Sequence, residues 1–404
     1  MLVADKLNVN KKLRSNLFKW RGQFTPQLVE YLLKEFAKAN DVVLDPFAGS
    51  GTVLQESARM GLDAYGFEIN PAAYAMSKFF TFSKFTNEQR KSLIDQVAEI
   101  ILNTVSEYKV LPVCKNDNTN FREAYVYFNE FSSALLSNIH KQEIRIAILN
   151  ILFKAERLKN YTIYDATSKA FGQVKRALFS LNFTESNIEA FLCDARHIDK
   201  KMPQKANLII TSPPYINVFN YHQNYRSIME LVGFDLLRVA DSEFGSNRKN
   251  RANRFKTVIQ YCLDIEQTLY SMLAALENQG MVVMIIGRES NVRGIPFYNG
   301  KIVHQIIQTI DGFKMLKNEK RTFNNKFGNR IVEDILIFQK IGTSDRKVKG
   351  YTIAKENLIK ALDYANSEVK NDILDAINNL EVVKPSPIMN IKDVIANGKF
   401  TSSR

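Results

Sequence analysis

Val42-Val43-Leu44-Asp45-Pro46-Phe47-Ala48-Gly49-Ser50-Gly51-Thr52 is the stretch of the sequence that decides the fold. A short apolar run enters a turn with two glycines, and a helical pattern follows until Gly61. Glycines let the turn approach a ligand closely, and the start of the next helix offers backbone N–H groups that lack partners within the helix. The stretch therefore predicts a strand, a ligand-binding turn and a helix of an α/β protein.

The turn does not have the pattern of a phosphate site. No Lys follows Gly51, as a G-x-x-x-x-G-K-[ST] loop requires, and the spacing differs from G-x-G-x-x-G. The next apolar run ends in Phe67-Glu68-Ile69-Asn70. Because an acidic residue at the end of a second strand can accept hydrogen bonds from both hydroxyls of a ribose, these features favour an adenosyl cofactor without phosphates.

Further apolar runs repeat the alternation of strand and helix. Near-continuous apolar runs are typical of a mostly parallel, twisted sheet that is flanked by helices on both faces. We therefore expect an α/β fold. The additional strands are predicted around residues 64–67, 190–192, 208–210, 281–286 and 335–338.

Breaks in this alternation predict the domain organisation. Residues 1–80 carry the ligand-binding turn, and the aromatic-rich, helical pattern of 81–184 indicates a helical insertion. Residues 185–340 complete the domain, although Gly, Pro and Asn residues interrupt the pattern over 289–330. Two amphipathic helices in 341–404 predict a small C-terminal helical extension.

A second motif, Thr211-Ser212-Pro213-Pro214-Tyr215, directly follows an apolar run. The two prolines fix the backbone and remove two N–H donors, so the carbonyls and the Ser212 hydroxyl remain as acceptors beside an aromatic ring. Such acceptors suit a planar base with an –NH₂ group, whose delocalised lone pair attacks poorly until its N–H groups are hydrogen-bonded. Positioning and preorganised electrostatics then lower the barrier to transfer. A rigid turn with Tyr215 packed on the core is the alternative.

The composition is that of an ordinary globular protein, with 404 residues of which 45% are hydrophobic and 24% are charged. The sequence has no run of about 18 uncharged apolar residues and no apolar secretory signal at its start, so we expect a cytosolic protein without a membrane span. Its three cysteines lie outside any C-x-x-C spacing, which argues against a disulfide framework or a zinc site.

The formal net charge of +13 favours a polyanionic partner, most simply nucleic acid. A basic segment follows the second motif and is placed to neutralise backbone phosphates. A solvated surface loop is the alternative interpretation of such a charge run. The candidate DNA-binding residues are Arg248, Lys249, Arg251, Arg254 and Lys256.

These motifs resemble those of the DNA amino-methyltransferases, which are the N4-cytosine and N6-adenine enzymes of restriction-modification systems. Residues 45–52 resemble the family's cofactor loop, 67–70 its acidic second strand and 211–215 its catalytic loop. The resemblance implies a Rossmann-like methyltransferase fold with S-adenosylmethionine as the cofactor. It implies no metal and no covalent nucleophile.

Three shorter segments extend the resemblance over roughly half of the chain. Residues 24–29 resemble the segment that closes over the methionine end of the cofactor, and 193–195 resemble the third-strand end, where an acidic residue meets the adenine amino group. Residues 329–333 before 334–338 resemble the closing hairpin strands. The cofactor-binding residues that the resemblance implies are Phe24, Thr25, Asp45, Phe47, Gly49, Gly51, Thr52, Glu68, Asn70, Asp194 and Ala195.

The resemblance also implies a catalytic role for Ser212, Pro213, Pro214 and Tyr215, with Tyr215 stacking on a base flipped out of the duplex. Ser at the first motif position is commoner in the cytosine-N4 enzymes, whereas Asp or Asn is commoner in adenine-N6 enzymes and several RNA methyltransferases. We therefore expect N4 methylation of cytosine in double-stranded DNA, with a cognate restriction endonuclease as a further partner. Adenine N6, an RNA base and non-catalytic binding of nucleic acid stay open as alternatives.

Overall fold

A computed structural model describes most of the chain, namely residues 2–9, 13–109, 111, 113, 121–137, 139–158, 160–217, 220–246, 250–325 and 328–395. Its strands are β1 (Val42–Asp45), β2 (Asp63–Glu68), β3 (Ile188–Leu192), β4 (Ala206–Thr211), β5 (Leu276–Gly287), β6 (Glu289–Val292), β7 (Ile295–Tyr298), β8 (Phe313–Asn324) and β9 (Arg330–Lys340).

The helices of the first half are α1 (Ala4–Asn8), α2 (Pro26–Phe36), α3 (Thr52–Arg59), α4 (Pro71–Lys78), α5 (Asn87–Val105), α6 (Phe121–Leu136), α7 (Gln142–Ala155) and α8 (Ile163–Phe179). Those of the second half are α9 (Arg226–Leu231), α10 (Leu236–Ser242), α11 (Lys256–Ala275), α12 (Asn299–Gln308), α13 (Gly350–Ala361), α14 (Ser367–Asn378) and α15 (Ile391–Val394).

Seven strands form one sheet in the order β3-β2-β1-β4-β5-β9-β8. The first five are parallel, whereas β9 is antiparallel to both of its neighbours. The strand order reverses between β1 and β4, which pair through Val43 with Leu208 and Leu44 with Ile209. Ligands of open α/β sheets bind at such a switch point, outside the carboxyl ends of the strands. The predicted α/β fold with a mostly parallel sheet is confirmed.

The sheet is covered on both faces because successive side chains of a strand point to opposite sides. On β4, Leu208 and Ile210 pack into one hydrophobic core, while Ile209 packs into the other. Helices α2–α9 contribute to the first core and helices α11–α14 to the second. Helices α13 and α14, predicted as a C-terminal extension, therefore bury apolar residues in the same core as the central strands.

The part of the chain between β2 and β3 contains α4 and then α5–α8, and these last four helices fall within the predicted insertion of residues 81–184. They do not form a core of their own, because Val97, Ile148 and Val174 belong to the same hydrophobic cluster as Val43 of β1. The buried side chain of Asn150 also donates hydrogen bonds to the carbonyls of Ala75 and Ile146, both 2.9 Å away.

The expectation for residues 289–330 and for the closing hairpin was wrong in two respects. The interrupted segment contains α12 and the 12-residue strand β8, and 329–333 and 334–338 lie in one continuous strand, β9. The hairpin is formed by β8 and β9. Strand β8 was missed because it is an edge strand rich in exposed lysine, a composition that protects edges from pairing with other chains and obscures apolar alternation.

Within the residues that the structure describes, no helix is long and apolar enough to cross a lipid bilayer. The same part of the chain contains no cluster of three or more His, Cys, Asp or Glu residues arranged to hold a metal ion.

The turn after β1 depends on glycines with left-handed backbone conformations. Gly51 has φ +86°, and a Cβ added to it would lie 2.7 Å from the Phe80 ring and 2.8 Å from Cα of Ser77. Gly61, which ends α3, has φ +67° but no atom within 4 Å of such a Cβ. A glycine is thus needed at position 51 for two reasons, namely the left-handed backbone conformation and the close packing of Phe80 and Ser77.

Replacement of Gly51 by Ala should destabilise the protein more than replacement of Gly61 by Ala. Both variants place a side chain on left-handed backbone at a cost of about 1–2 kcal/mol. Only Gly51→Ala adds overpacking, which costs a further ~1–3 kcal/mol. Denaturant titration measures the free energy of unfolding of each variant, and equal losses would contradict the steric role of Gly51.

Candidate functional site

A cleft with an empty volume of about 1020 Å³ lies at the carboxyl ends of the parallel strands. The cleft brings together most of the predicted site residues, although they are far apart in sequence. From the predicted set it is lined by Phe24, Asp45, Phe47, Gly49, Thr52, Glu68, Asn70, Asp194, Ala195, Ser212, Pro213, Pro214 and Tyr215.

Asp45 connects the two motifs. Its Oδ1 accepts a 2.6 Å hydrogen bond from Oγ1 of Thr211, at the end of β4, and a 3.1 Å bond from the Phe47 N–H. Asp45 and Thr211 are both buried. The bond crosses from β1 to the neighbouring β4. It therefore fixes the turn of residues 45–52, here called the cofactor turn, relative to residues 212–215, here called the Ser-Pro-Pro-Tyr loop.

Glu68, at the end of β2, supports the turn from the other side. Its two carboxylate oxygens accept hydrogen bonds from the Gly49 N–H at 2.7 Å and the Asn70 N–H at 2.8 Å. Desolvation raises the pKa of Glu68 to about 7, and burial has the same effect on Asp45, whose pKa also rises to about 7. A positively charged ligand in the cleft would therefore favour the ionised forms of both carboxyl groups.

The Ser-Pro-Pro-Tyr loop is held from both sides. The Ser212 Oγ lies 3.2 Å from the Tyr215 hydroxyl. A Cβ on Gly287, at the end of β5, would lie 2.6 Å from the Tyr215 ring, and a Cβ on Gly245 would lie 2.3 Å from its carbonyl oxygen. Two close backbone approaches therefore position Tyr215, and burial raises its pKa to about 12.

Known proteins resemble this chain in sequence. Residues 4–79 match the N6_N4_Mtase family model, described as DNA methylase. The type II methyltransferase M.MjaII of Methanocaldococcus jannaschii is 24% identical over 72% of this chain and 75% of its own length. M.AvaI of Nostoc sp. is 24% identical over 80% of this chain and 75% of its own length. M.BsoBI of Geobacillus stearothermophilus is 32% identical over 18% of this chain and 14% of its own length.

The chain is thus similar to the DNA amino-methyltransferases of restriction-modification systems. The predicted resemblance is thereby confirmed, and so is the cofactor, S-adenosylmethionine. These relatives support methyl transfer to an amino group in DNA. Among solved structures, TrmN from Thermus thermophilus aligns over 80% of this chain and 50% of its own, with a TM-score of 0.32 and 14% identity.

The cleft of this methyltransferase has polar groups and space that fit the cofactor. Asn70 lines the cleft, and its Oδ1 caps α4, while its buried Nδ2 has no hydrogen-bond partner among the described residues. Oγ1 of Thr25, at the start of α2, is also buried and unpaired. A Cβ on Gly49 would lie 3.3 Å from the Trp20 ring, so the absence of a side chain lets Trp20 pack closely on this turn.

Two predicted cofactor residues lie outside the cleft wall. Gly51 is at the start of α3, behind the turn, where it packs against Phe80. Thr25 is next to Phe24, which does line the cleft. Their contacts with the cofactor remain predictions.

Asp194 lines the cleft, but its carboxylate is engaged by protein donors. Its Oδ1 accepts hydrogen bonds from the Arg196 backbone N–H at 3.0 Å and from Nε at 2.9 Å. Its Oδ2 accepts from Nη2 of Arg196 at 2.6 Å and from the Met389 N–H at 3.0 Å. With two donors on each oxygen, Asp194 is less available for an adenine amino group than the resemblance suggested.

Arg196 extends this network into the C-terminal segment. Its Nη1 lies 3.1 Å from Oδ1 of Asp264 and 2.5 Å from the Ser386 carbonyl, and its Nη2 donates to the Pro387 carbonyl at 2.8 Å. Asp264 also accepts from both the N–H and the hydroxyl of Ser386. The segment 386–389 is thus fastened to the end of β3, beside the cleft, which no motif of the sequence indicated.

Several residues that complete the cleft were not assigned to it from the sequence. Trp20 and Tyr221 stack with ring centroids 5.9 Å apart, and Ser242, Glu243 and Phe244 follow α10. His222, next to Tyr221, contacts Glu243. Tyr225 packs on Phe153 in the core with ring centroids 4.6 Å apart.

The candidate DNA-binding residues divide into three groups. Arg248 and Lys249 lie outside the described residues. Arg251 and Arg254 line polar grooves near the cleft, together with Asn217, Asn220 and other residues of the loop after Tyr215. Lys256 instead lies 2.9 Å from Asp375 of α14, so its contact with a phosphate is not favoured, because this ion pair docks the C-terminal helix.

Substitution of Arg196 by Leu should strongly destabilise the protein. It leaves the buried carboxylates of Asp194 and Asp264 without their counter-charge, a change that typically costs about 3–5 kcal/mol. Arg226→Leu is the matched control, because it breaks a partly exposed pair with Glu230 on α9 that is worth below about 1 kcal/mol. Thermal and denaturant unfolding compare the two, and a similar small loss in both would contradict the role of the network.

Cofactor affinity should rise with pH through about 7. The raised pKa values of Asp45 and Glu68 leave both carboxyls partly protonated near neutrality, and a sulfonium cation favours their ionised forms. Binding then releases protons, so the dissociation constant falls as pH increases between about 6 and 8. Calorimetric titration of S-adenosylmethionine measures the slope. Glu68→Gln should make it shallower, and an unchanged slope would remove Glu68 from the site.

Proposed function

We propose that this methyltransferase acts on the N4 amino group of cytosine in a defined sequence of double-stranded DNA. The observation that carries the proposal is the position of Ser212 in the same cleft as the cofactor turn. Ser at this position is the choice that resembles the N4-cytosine enzymes. The type II relatives support a role in marking DNA against a cognate restriction endonuclease.

The cofactor turn would hold the adenosyl part of the cofactor. Glu68 would accept hydrogen bonds from the ribose hydroxyls, and Asn70 would offer its side-chain nitrogen, which has no partner among the described residues. Asp45 and Glu68 complement a positive charge in the cleft. When bound, S-adenosylmethionine supplies an electrophilic methyl group on a sulfonium.

The Ser-Pro-Pro-Tyr loop would hold the base. Pro213 and Pro214 cannot donate backbone hydrogen bonds, so the loop presents acceptors to the two N–H groups of the amine. These bonds favour a tetrahedral nitrogen whose lone pair points away from the ring. Tyr215 provides a stacking surface for a base that has left the duplex. Stacking by Tyr215 positions the amine, and positioning supplies a large part of the rate enhancement.

The positive grooves beside the cleft would bind the DNA backbone. Arg251 and Arg254 lie there, with Asn217 and Asn220 of the loop that follows Tyr215. Arg254 donates a 3.0 Å hydrogen bond to Asn217, which fixes its direction. Phosphate contacts of this kind set the orientation of the duplex without reading its sequence.

The test is mass spectrometry of nucleosides from DNA of an expression host that lacks its own amino-methylation. The wild-type protein should produce N4-methylcytosine, and Ser212→Ala should lower methyl transfer by about 100-fold while cofactor affinity by calorimetry stays unchanged, because the hydroxyl contacts the base. Ser137→Ala, at an exposed position after α6, is the matched control and should retain full activity.

Other products would change the assignment in defined ways. N6-methyladenine would retain the mechanism and overturn the choice of cytosine. A methylated base in RNA alone, or tight DNA binding without cofactor binding, would contradict the proposed substrate or the proposed activity. Equal losses of turnover and of cofactor affinity in Ser212→Ala would contradict the assignment of its hydroxyl to the base.

A further inference from the structure

Glu243 is a buried carboxylate in the wall of the cleft. Glu243 is 6% exposed, and its Oε1 is buried without a hydrogen-bond partner in the part of the chain that the structure describes. The other oxygen, Oε2, lies 3.0 Å from Nδ1 of His222, which is itself 4% exposed. An unpaired buried carboxylate oxygen is costly, so its persistence in a cleft points to a donor that a ligand supplies.

His222 holds Glu243 in a defined orientation. Nε2 of His222 lies 2.9 Å from Nε2 of Gln223. An amide nitrogen can only donate, so Nε2 of His222 is the acceptor. With Nε2 as the acceptor, the ring proton is on Nδ1 and is donated to Oε2 of Glu243. This chain of two hydrogen bonds engages Oε2 and leaves Oε1 of this cleft-lining residue available to a further donor.

The other carboxylates of the cleft are engaged differently. Both oxygens of Glu68 accept from backbone N–H groups, and both oxygens of Asp194 accept two donors each. Asp45 is bound by Thr211 and by a backbone N–H. Of these four acidic residues, Glu243 is the one with a buried oxygen that has no partner among the residues described.

The segment that carries Glu243 packs on the Ser-Pro-Pro-Tyr loop. Gly245 lies against the Tyr215 carbonyl, and the Gly245 carbonyl accepts a 3.1 Å hydrogen bond from the Asn217 N–H. The next residue in the segment, Phe244, packs on Phe47 of the cofactor turn with ring centroids 5.6 Å apart. Since neighbouring side chains of an extended backbone point to opposite sides, Glu243 points away from Phe244 and toward His222.

We propose that Glu243 is a further catalytic residue, which accepts a hydrogen bond from the target amine and then its proton; this inference rests on the proposed function. The Ser-Pro-Pro-Tyr loop needs such a partner. A serine hydroxyl is a poor proton acceptor, and Tyr215, with its pKa raised to about 12, is predominantly a phenol at neutral pH. Amino methylation nevertheless releases one proton from nitrogen.

The step balances as follows in atoms and charge. The base nitrogen uses its lone pair to form the N–CH₃ bond, and the S–CH₃ bond breaks with its electron pair going to sulfur. The methylated nitrogen is then positively charged and passes one proton to Oε1, so that Glu243 changes from a carboxylate to a carboxylic acid. Transfer of that proton to water restores the carboxylate for the next turnover.

The experiment compares Glu243→Gln with the wild-type protein on unmethylated genomic DNA under single-turnover conditions. Gln keeps the size and one acceptor of Glu but takes no proton, so we expect the transfer rate to fall by about 100-fold or more. Cofactor affinity by calorimetry and DNA affinity by gel shift should match the wild type. Glu277→Gln, at an exposed position near the start of β5 and at the opposite end of the sheet, is the matched control.

Each outcome bears on one assignment. Wild-type activity together with an undiminished rate in Glu243→Gln would overturn the role of Glu243 and leave the proposed function intact. A loss of cofactor affinity in that variant would also overturn it, since Glu243 would then face the cofactor. If Glu243→Gln fails to fold, Glu243→Asp, which retains the proton acceptor on a shorter side chain, should retain measurable transfer above Glu243→Ala. A wild-type protein that transfers no methyl group to DNA would overturn the proposed function itself.

Discussion

The 2.6 Å hydrogen bond from Thr211 to Asp45 is the interaction on which the site depends. It joins the last residues of β1 and β4, the two strands between which the order of the sheet reverses. The cofactor turn follows β1, and the Ser-Pro-Pro-Tyr loop follows β4. Because the bond is buried and short, the two loops are positioned as one unit, and positioning is the main contribution that a protein makes to a transfer between two bound reactants.

The same burial that makes this bond strong also makes the carboxylates of the cleft expensive to ionise. Asp45 and Glu68 both have a pKa of about 7, while Asp194 is compensated by Arg196. The buried cation Arg196 thus pairs with Asp194. Asp45 and Glu68 instead accept hydrogen bonds from backbone N–H groups and from the Thr211 hydroxyl, which carry no charge. A ligand with a positive charge would be stabilised by the ionised forms of these two residues.

The C-terminal helices and the segment that follows them are part of this arrangement. Helices α13 and α14 cover one face of the sheet, and the segment after α14 passes beside the end of β3. Part of the basic run after the Ser-Pro-Pro-Tyr loop serves this packing, since Lys256 and Asn253 both contact Asp375 of α14. A run of positive charge next to a nucleic-acid site can therefore have an intramolecular function as well as an intermolecular one.

The sequence by itself determined the positions of the central strands, the cofactor turn and the Ser-Pro-Pro-Tyr loop, because each is a local pattern. Val42–Thr52 and Thr211–Tyr215 combine an apolar run with residues whose backbone preferences are strong, namely glycine and proline. The edge strand β8 was not predictable in this way, since its exposed lysines hide the alternation of a strand.

Only the tertiary structure decided which isolated residues line the cleft or hold the residues that line it. Glu243, His222, Trp20 and Arg196 have no distinctive neighbours in the sequence, and their roles arise from contacts between segments far apart along the chain. The same holds for Asp194, whose position was predicted but whose partners were not. Side-chain hydrogen bonds of this kind depend on distance and direction in space, which a local sequence pattern does not encode.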